Sequence, residues 1–143
     1  MAGLARGIAA LGGLGDLRPA PGTWASAAVL PIGFLPGWVA LLACLGFTAA
    51  GFWALRRLPE AGEDPGWIVV DEAAGQALAL TFAASWLGVL IAFALFRLFD
   101  IAKPGAVGWA DRQPGPFGVM ADDLVAGAMA GILLLVLGLF GWA

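Results

Sequence analysis

Histidine is absent from this chain of 143 residues, and the single cysteine, Cys44, lies alone in an apolar run. Without histidine there is no zinc–histidine site, no histidine general acid or base and no Ser-His-Asp triad. One cysteine gives neither a disulfide framework nor a thiolate metal site. Cys44 is therefore predicted to be a buried, unreactive thiol.

Charge is also scarce, since 12% of the residues are charged and 62% are hydrophobic, whereas soluble domains have about 25% charged residues. The net charge of −3 and the lack of a basic, aromatic-rich patch argue against a nucleic-acid partner. Residues 27–55, 73–96 and 124–143 carry no charge and are long enough to span or deeply enter a bilayer. The composition predicts one integral-membrane domain over residues 1–143, with a Gly-rich interfacial segment at 1–20.

Turn signals divide the apolar runs into helices. Residues 38–55 and 124–142 are predicted to be full-span helices, and 24–35 is a shorter segment that ends at a Leu-Pro-Gly turn. The stretch 67–96 is ambiguous, because it is either one helix of about 45 Å or two helices with a turn near 83–86. We therefore expect an all-α membrane bundle of about five helices, some of them short or re-entrant.

Two observations favour a turn near residues 83–86. With that turn, every Lys and Arg lies on one side of the membrane, an extreme form of the positive-inside pattern that places this side in the cytoplasm. Trp38, Trp86 and Trp142 then lie at the opposite edge, where an aromatic belt is expected. The charged windows thereby come together on one cytoplasmic face.

Ionisable residues at the edge of a hydrocarbon phase are costly, so a cluster of them is treated as a functional-site hypothesis. Oxygen ligands without His or Cys favour Mg²⁺, or Mn²⁺ in its place. Lys and Arg beside such a site indicate an anionic substrate, and a phospholipid phosphate is the natural candidate at a membrane surface. The four windows are Asp64, Asp71 and Glu72; Arg97, Asp100 and Lys103; Asp111 and Arg112; and Asp122 and Asp123.

Several of the candidate residues also have a plainer structural interpretation. Thr23 is placed to be the N-cap of the helix that follows Pro-Gly, and Arg97 and Asp100 can form a simple helical ion pair that ends near Pro104. The acidic pairs can stabilise helix N-termini, and Asp122 and Asp123 are predicted to open the last helix. Capping a helix needs only one acidic residue, however, so two consecutive acidic residues favour a role as metal ligands.

Five segments, taken in order, resemble the phosphatidylglycerophosphatase A family. They read P-G-T-x-x-S, D-x-x-x-x-x-x-D-E-x-x-G, F-R-x-x-D-x-x-K-P, D-R and G-x-M-x-D-D-x-x-A-G, and they run from about Gly13 to Gly127. The resemblance implies an all-helical fold and Mg²⁺-dependent hydrolysis of phosphatidylglycerophosphate to phosphatidylglycerol and phosphate. It also implies an active site at the cytoplasmic face of the bacterial inner membrane. Ala25 departs from the pattern, which usually has Gly before the Ser.

The residues and the resemblance together predict a Mg²⁺-dependent lipid phosphomonoesterase. The rivals are a small ion-coupling membrane protein and a structural protein with interfacial carboxylates. The number of metals, attack by water or by an Asp nucleophile, and a homo-oligomeric state stay open. The predicted roles are metal ligation by Glu72, Asp122 and Asp123, with Asp64 peripheral; completion of the site or activation of water by Asp71 and Asp100; and phosphate binding by Arg97, Lys103 and Arg112, helped by Thr23 and Ser26.

Overall fold

Helices form the whole architecture, and the computed structural model describes all 143 residues without a β-strand. The all-α prediction is confirmed. The predicted count of about five helices is not, because two short helices, the first and the sixth, lie outside the predicted segments. The α-helices are α1 (Ala2–Ala9), α2 (Pro21–Val29), α3 (Gly37–Leu55), α4 (Val70–Leu80), α5 (Trp86–Ala102), α6 (Ala106–Asp111) and α7 (Gly115–Leu139), with 3₁₀ segments at Leu11–Asp16, Leu30–Phe34 and Pro59–Glu63.

Helix α4 lies at the centre of the bundle and packs against α2, α3, α5 and α7. Small buried residues such as Ala73 and Ala77 allow its neighbours to approach closely. At the α4–α7 crossing, a methyl group on Gly75 would overlap with the backbone carbonyl of Asp123, and one on Gly127 would overlap with the carbonyl of Gly75. Small residues permit such backbone contact between helices, and here it places the first turn of α4 beside Asp123.

The predicted break near residues 83–86 is present, because α4 ends before it and α5 begins within it. Ser85 is the N-cap of α5, and its hydroxyl oxygen accepts a hydrogen bond from the backbone N–H of Gly88 at 3.0 Å. This cap explains how the chain turns without Gly or Pro inside the break. Because of the turn, Arg97 and Asp100 return to the end of the bundle that holds the start of α4.

The prediction that Asp122 and Asp123 open the last helix is wrong. Helix α7 already begins at Gly115, with Pro116 in its first turn. Proline is tolerated there because its missing N–H would have no partner in the helix. Asp122 and Asp123 therefore lie about two turns inside α7, where neither of them can cap a helix.

The prediction that Thr23 is an N-cap is also wrong. Helix α2 starts at Pro21, whose fixed φ suits the first helical position, and Ala20 occupies the cap without a side-chain hydrogen bond. Thr23 lies in the first turn and is half-buried.

Apolar side chains cover much of the outer surface. Helices α3 and α7 are long and apolar enough to cross a membrane, and only 28% of the most apolar window of α3 is buried inside the protein. The turns at 33–36 and 83–86 line one groove. These two turns and the C-terminal end of α7 contain no charged residue. Trp38, Trp86 and Trp142, which adjoin these uncharged segments, are all exposed.

Candidate metal and phosphate site

The structure brings five predicted carboxylates together at one end of the bundle. Asp71 and Glu72 at the start of α4 join Asp123 of α7 in one group, whose ligand oxygens lie within 4.8 Å of one another. A second group of the same size joins Asp100 of α5, Asp122 and Asp123. Asp123 belongs to both groups, so the cluster is two carboxylate triads with one shared member.

Two cations lie against this cluster. Arg97 donates a hydrogen bond to Asp100. The Lys103 ammonium lies 2.6 Å from Asp122, 3.2 Å from Asp111 and 3.8 Å from Asp100. Lys103 therefore connects three carboxylates that come from three different helices.

The backbone at Lys103 is arranged for this role. Helix α5 ends at Ala102, as Pro104 predicts, and Lys103 follows in the left-handed region with φ of 49°. Residues with a Cβ rarely adopt that conformation, and they tend to do so at functional sites. The reversal of the chain at this point turns the Lys103 side chain back toward the carboxylates.

Burial makes the carboxylate cluster electrostatically costly. Burial raises the pKa of Glu72 to about 7, although its contact with Asp71 opposes the shift. Burial and the charge of Glu72 raise the pKa of Asp71 well above its usual range. Burial alone would lower the pKa of Lys103, but the hydrogen bond and charge of Asp122 raise it above its ordinary value. Two cations do not neutralise five carboxylates, so the cluster is suited to a further positive charge.

Unpaired oxygen atoms mark where such a charge fits. Oε2 of Glu72 and Oδ1 of Asp123 are buried without a hydrogen-bond partner. Buried polar atoms rarely stay unpaired in native proteins. The donor set consists of oxygen alone, because Cys44 is a buried free thiol elsewhere, as predicted. Carboxylate oxygens in this arrangement suit a hard divalent cation.

Helix α2 forms the wall next to Glu72. A methyl group on Gly22 would overlap with Oε1 of Glu72 and would lie 3.2 Å from a terminal nitrogen of Arg97. Ser26, one turn on, is buried and donates its hydroxyl hydrogen to the carbonyl of Gly22 at 2.8 Å. Ser26 thus has a partner within α2, and Thr23 lies next to Gly22 on the same turn.

Among the predicted charged site residues, Asp64 and Arg112 lie outside the triads and form no ion pair with them. Asp64 is exposed at the end of a 3₁₀ segment with φ of 47°, near enough to interact with the charges of Lys103, Asp111 and Asp100 but outside both groups. Arg112 is exposed just after α6 and forms no ion pair; the neighbouring Asp111 pairs with Lys103 instead.

Sequence reasoning missed three residues that the structure places at or near the site, namely Asp111, Gly22 and Gln76. Asp111 stands in a predicted charged window, and Gly22 stands in the Pro-Gly-Thr segment, but their contacts depend on tertiary packing. Gln76 had a signal of its own, because it is a polar side chain within the uncharged run 73–96. It is completely buried.

The surface grooves lie away from the carboxylates. One is lined by the two uncharged turns, and the other by Phe52, Arg56 and the Pro114–Phe117 region at the flank of α3 and α7. Neither groove includes Arg97, Lys103 or a carboxylate of the cluster.

Comparison with known proteins gives a consistent set of relatives. A family model described as phosphatidylglycerophosphatase A matches residues 7–138. A Bacteroides thetaiotaomicron protein, provisionally named a phosphatidylinositol-3-phosphatase, is 42% identical over 104 residues; these cover 69% of the chain and 65% of that protein, just under two thirds of its length. Phosphatidylglycerophosphatase A of Haemophilus influenzae is 37% identical over 140 residues (87% and 83% of the two chains), and that of Escherichia coli is 33% identical over 126 residues (81% and 73%). No solved structure matches the chain.

Proposed function

Because the chain belongs to the phosphatidylglycerophosphatase A family of phosphatases, we propose that it hydrolyses phosphatidylglycerophosphate to phosphatidylglycerol and phosphate with Mg²⁺ as cofactor. The observation that carries this proposal is the pair of carboxylate triads that share Asp123 and are flanked by Lys103 and Arg97. Hard oxygen ligands beside two cations are the apparatus of phosphoryl transfer, where stabilisation of charge dominates.

Glu72, Asp122 and Asp123 would hold the cation, and the unpaired buried oxygens of Glu72 and Asp123 support this assignment. Bound there, Mg²⁺ would offset the charge of the carboxylates and polarise the phosphate ester. Asp64 is exposed and stands outside both triads, so we give it the role of a turn residue before Pro65.

Lys103 and Arg97 bind the phosphate in this proposal. Without substrate, Lys103 pairs with Asp122 and Arg97 pairs with Asp100. Once Asp122 serves the cation, Lys103 is free to pair with the phosphate oxygens. The guanidinium of Arg97 stays against Asp100 and presents its other N–H groups to the phosphate. Thr23 lies beside Gly22 on the same wall and can add a hydroxyl contact.

We assign the activation of water to Asp71, which lies in the triad with Glu72 and Asp123. Burial and the charge of Glu72 raise its pKa, and a higher pKa makes a carboxylate a stronger base. Asp71 removes a proton from the attacking water, whose oxygen forms a bond to phosphorus as the bond between phosphorus and the glycerol oxygen breaks. The proton then passes from Asp71 to the departing alkoxide of phosphatidylglycerol. Asp100 holds Arg97 and Lys103 in position during this step.

Release of phosphate from purified protein tests the activity. With phosphatidylglycerophosphate, release is expected with Mg²⁺, loss of release is expected with EDTA, and added Mg²⁺ should restore it. Phosphatidylinositol 3-phosphate serves as the second substrate, because the name of the Bacteroides relative points to that lipid. No release from either lipid would overturn the enzyme assignment and favour an ion-coupling or structural role. A higher kcat/KM for the inositol lipid would overturn the substrate alone.

The same proposal places the protein in the bacterial inner membrane with the site at the cytoplasmic face. The apolar surface of α3, the uncharged end of the bundle and the exposed Trp38, Trp86 and Trp142 support this placement. The carboxylates lie at one end of the bundle and not at its middle, which suits a lipid head group better than an ion path through the membrane.

Cysteine labelling is expected to distinguish the two ends of the bundle. In a Cys44→Ala background, Glu60→Cys in inside-out vesicles should react with a membrane-impermeant maleimide, whereas Ala84→Cys should not. Both positions are exposed, and Ala84 avoids the capping role of Ser85. Equal labelling of the two positions from the cytoplasmic side would contradict the proposed topology.

A further inference from the structure

Gln76 is a buried amide that lacks partners. It lies within α4, its side chain is 0% exposed, and neither Oε1 nor Nε2 makes a hydrogen bond. An unpaired amide inside a protein is destabilising, and an apolar residue would fill the same space without that cost. A function that pairs the amide in the working protein explains why a glutamine stands here.

The position of Gln76 follows from its neighbours on the helix. Glu72, Gln76 and Leu80 are spaced by four residues and therefore lie on one stripe of α4. Glu72 lies against Gly22, and Leu80 lies against Gly33. Gln76, one turn from each, faces the same side and lies about 6 Å along the helix axis from the metal ligand Glu72.

Two other buried groups on that side lack partners, and their chemistry complements an amide. Oε2 of Glu72 is an acceptor without a donor, and Nε of Arg97 is a donor without an acceptor. Glu72 and Arg97 also interact electrostatically and both adjoin Gly22. A glutamine amide offers a donor for the carboxylate and an acceptor for the guanidinium.

We propose that Gln76 is a positioning residue of the metal and phosphate site, an inference that rests on the proposed function. In the loaded site its Nε2 donates to the Glu72 carboxylate and its Oε1 accepts from Nε of Arg97. The amide thereby fixes the orientation of one metal ligand and one phosphate-binding cation without touching the phosphate. Partners of this kind typically change metal affinity or activity by about 10–100-fold when they are replaced.

Gln76→Met tests the role, because methionine keeps the length and shape of glutamine and removes both polar atoms. Mn²⁺ binding to the purified protein, followed by electron paramagnetic resonance, is expected to weaken by about 10–100-fold in Kd. The kcat for phosphate release should fall to a similar extent. The metal-free variant should melt at or above the wild-type temperature, because the orphaned amide is gone.

Gln113→Met is the matched control. Gln113 is the only other glutamine, and its amide donates to the carbonyl of Trp109 outside the carboxylate cluster, so this variant should keep the wild-type Kd and kcat. Gln76→Leu gives a second apolar replacement if Gln76→Met does not fold. Wild-type Mn²⁺ affinity in a folded Gln76 variant would overturn the inference while the proposed function stands. Absence of Mn²⁺ binding and lipid hydrolysis in the wild-type protein would overturn the proposed function itself.

Discussion

Replacing Asp123 by asparagine is expected to lower kcat for phosphate release by about 1,000-fold and to leave the protein folded. Asp123 is the one carboxylate shared by both triads, and it is almost completely buried. Asparagine keeps the shape of the side chain but removes the charge that both groups use. Charge stabilisation by a bound metal contributes several kcal/mol to catalysis, and each 1.36 kcal/mol of that changes the rate tenfold.

Two measurements and a matched control identify the cause of this loss. Mn²⁺ affinity should fall together with kcat. The metal-free variant should melt at or above the wild-type temperature, because asparagine removes a buried charge from among like charges. Asp16→Asn is the matched control, since Asp16 is exposed and pairs only with Arg6, at 3.2 Å, and such surface pairs contribute about 0–1 kcal/mol. Retention of most of the activity in Asp123→Asn would remove the shared carboxylate from the mechanism.

The sequence predicts that the charged windows meet at one end of the bundle, because this arrangement depends only on where the chain reverses direction. Once the chain reverses near residues 83–86, Asp71 and Asp100 have to lie at the same end, and the uncharged runs leave no other place for ionisable groups. The physical reason is the cost of charge in an apolar phase. Because that cost is large, the positions of the charged residues along the sequence already indicate which segments lie outside the apolar phase.

The helix boundaries near the site were harder to predict. The sequence predicts that the last helix opens at Asp122, yet Pro114 occupies the cap of α7 and Pro116 lies in its first turn. This register places Asp122 and Asp123 inside the helix rather than at its start. A proline pair is compatible with either a loop or a helix start, and packing against α4 decides between them.

The partners of individual cations depended on tertiary contacts that no local pattern contains. Arg112 follows Asp111 directly in the sequence, but Asp111 forms an ion pair with Lys103, and Arg112 is exposed. Lys103 gains its three partners through a left-handed backbone that is unusual for a residue with a Cβ. Gln76, by contrast, could have been identified, because a lone amide in a long apolar run is itself informative.

The crossing of α4 and α7 leads to the second large effect. Gly75→Ala is expected to destabilise the protein by about 2 kcal/mol, because overpacking a close-packed contact costs roughly 1–3 kcal/mol. The added methyl group would overlap with the backbone carbonyl of Asp123 and with the ring of Phe96. A backbone carbonyl cannot rotate away as a flexible side chain can, so the two helices must separate.

That separation should also impair the chemistry, since Asp71 and Glu72 lie on α4 and Asp123 lies on α7. A displacement of about 1 Å between reacting groups can lower the rate by about 100-fold, and we expect a loss of that size, accompanied by weaker Mn²⁺ binding. Gly46→Ala on α3 is the control, because no atom lies within 4 Å of the added methyl group and alanine favours a helix over glycine by up to about 1 kcal/mol. If Gly75→Ala melted like Gly46→Ala and bound Mn²⁺ normally, the contact between the two backbones would not be what aligns the carboxylates. The site would then have to be aligned by the ion pairs of Lys103 instead.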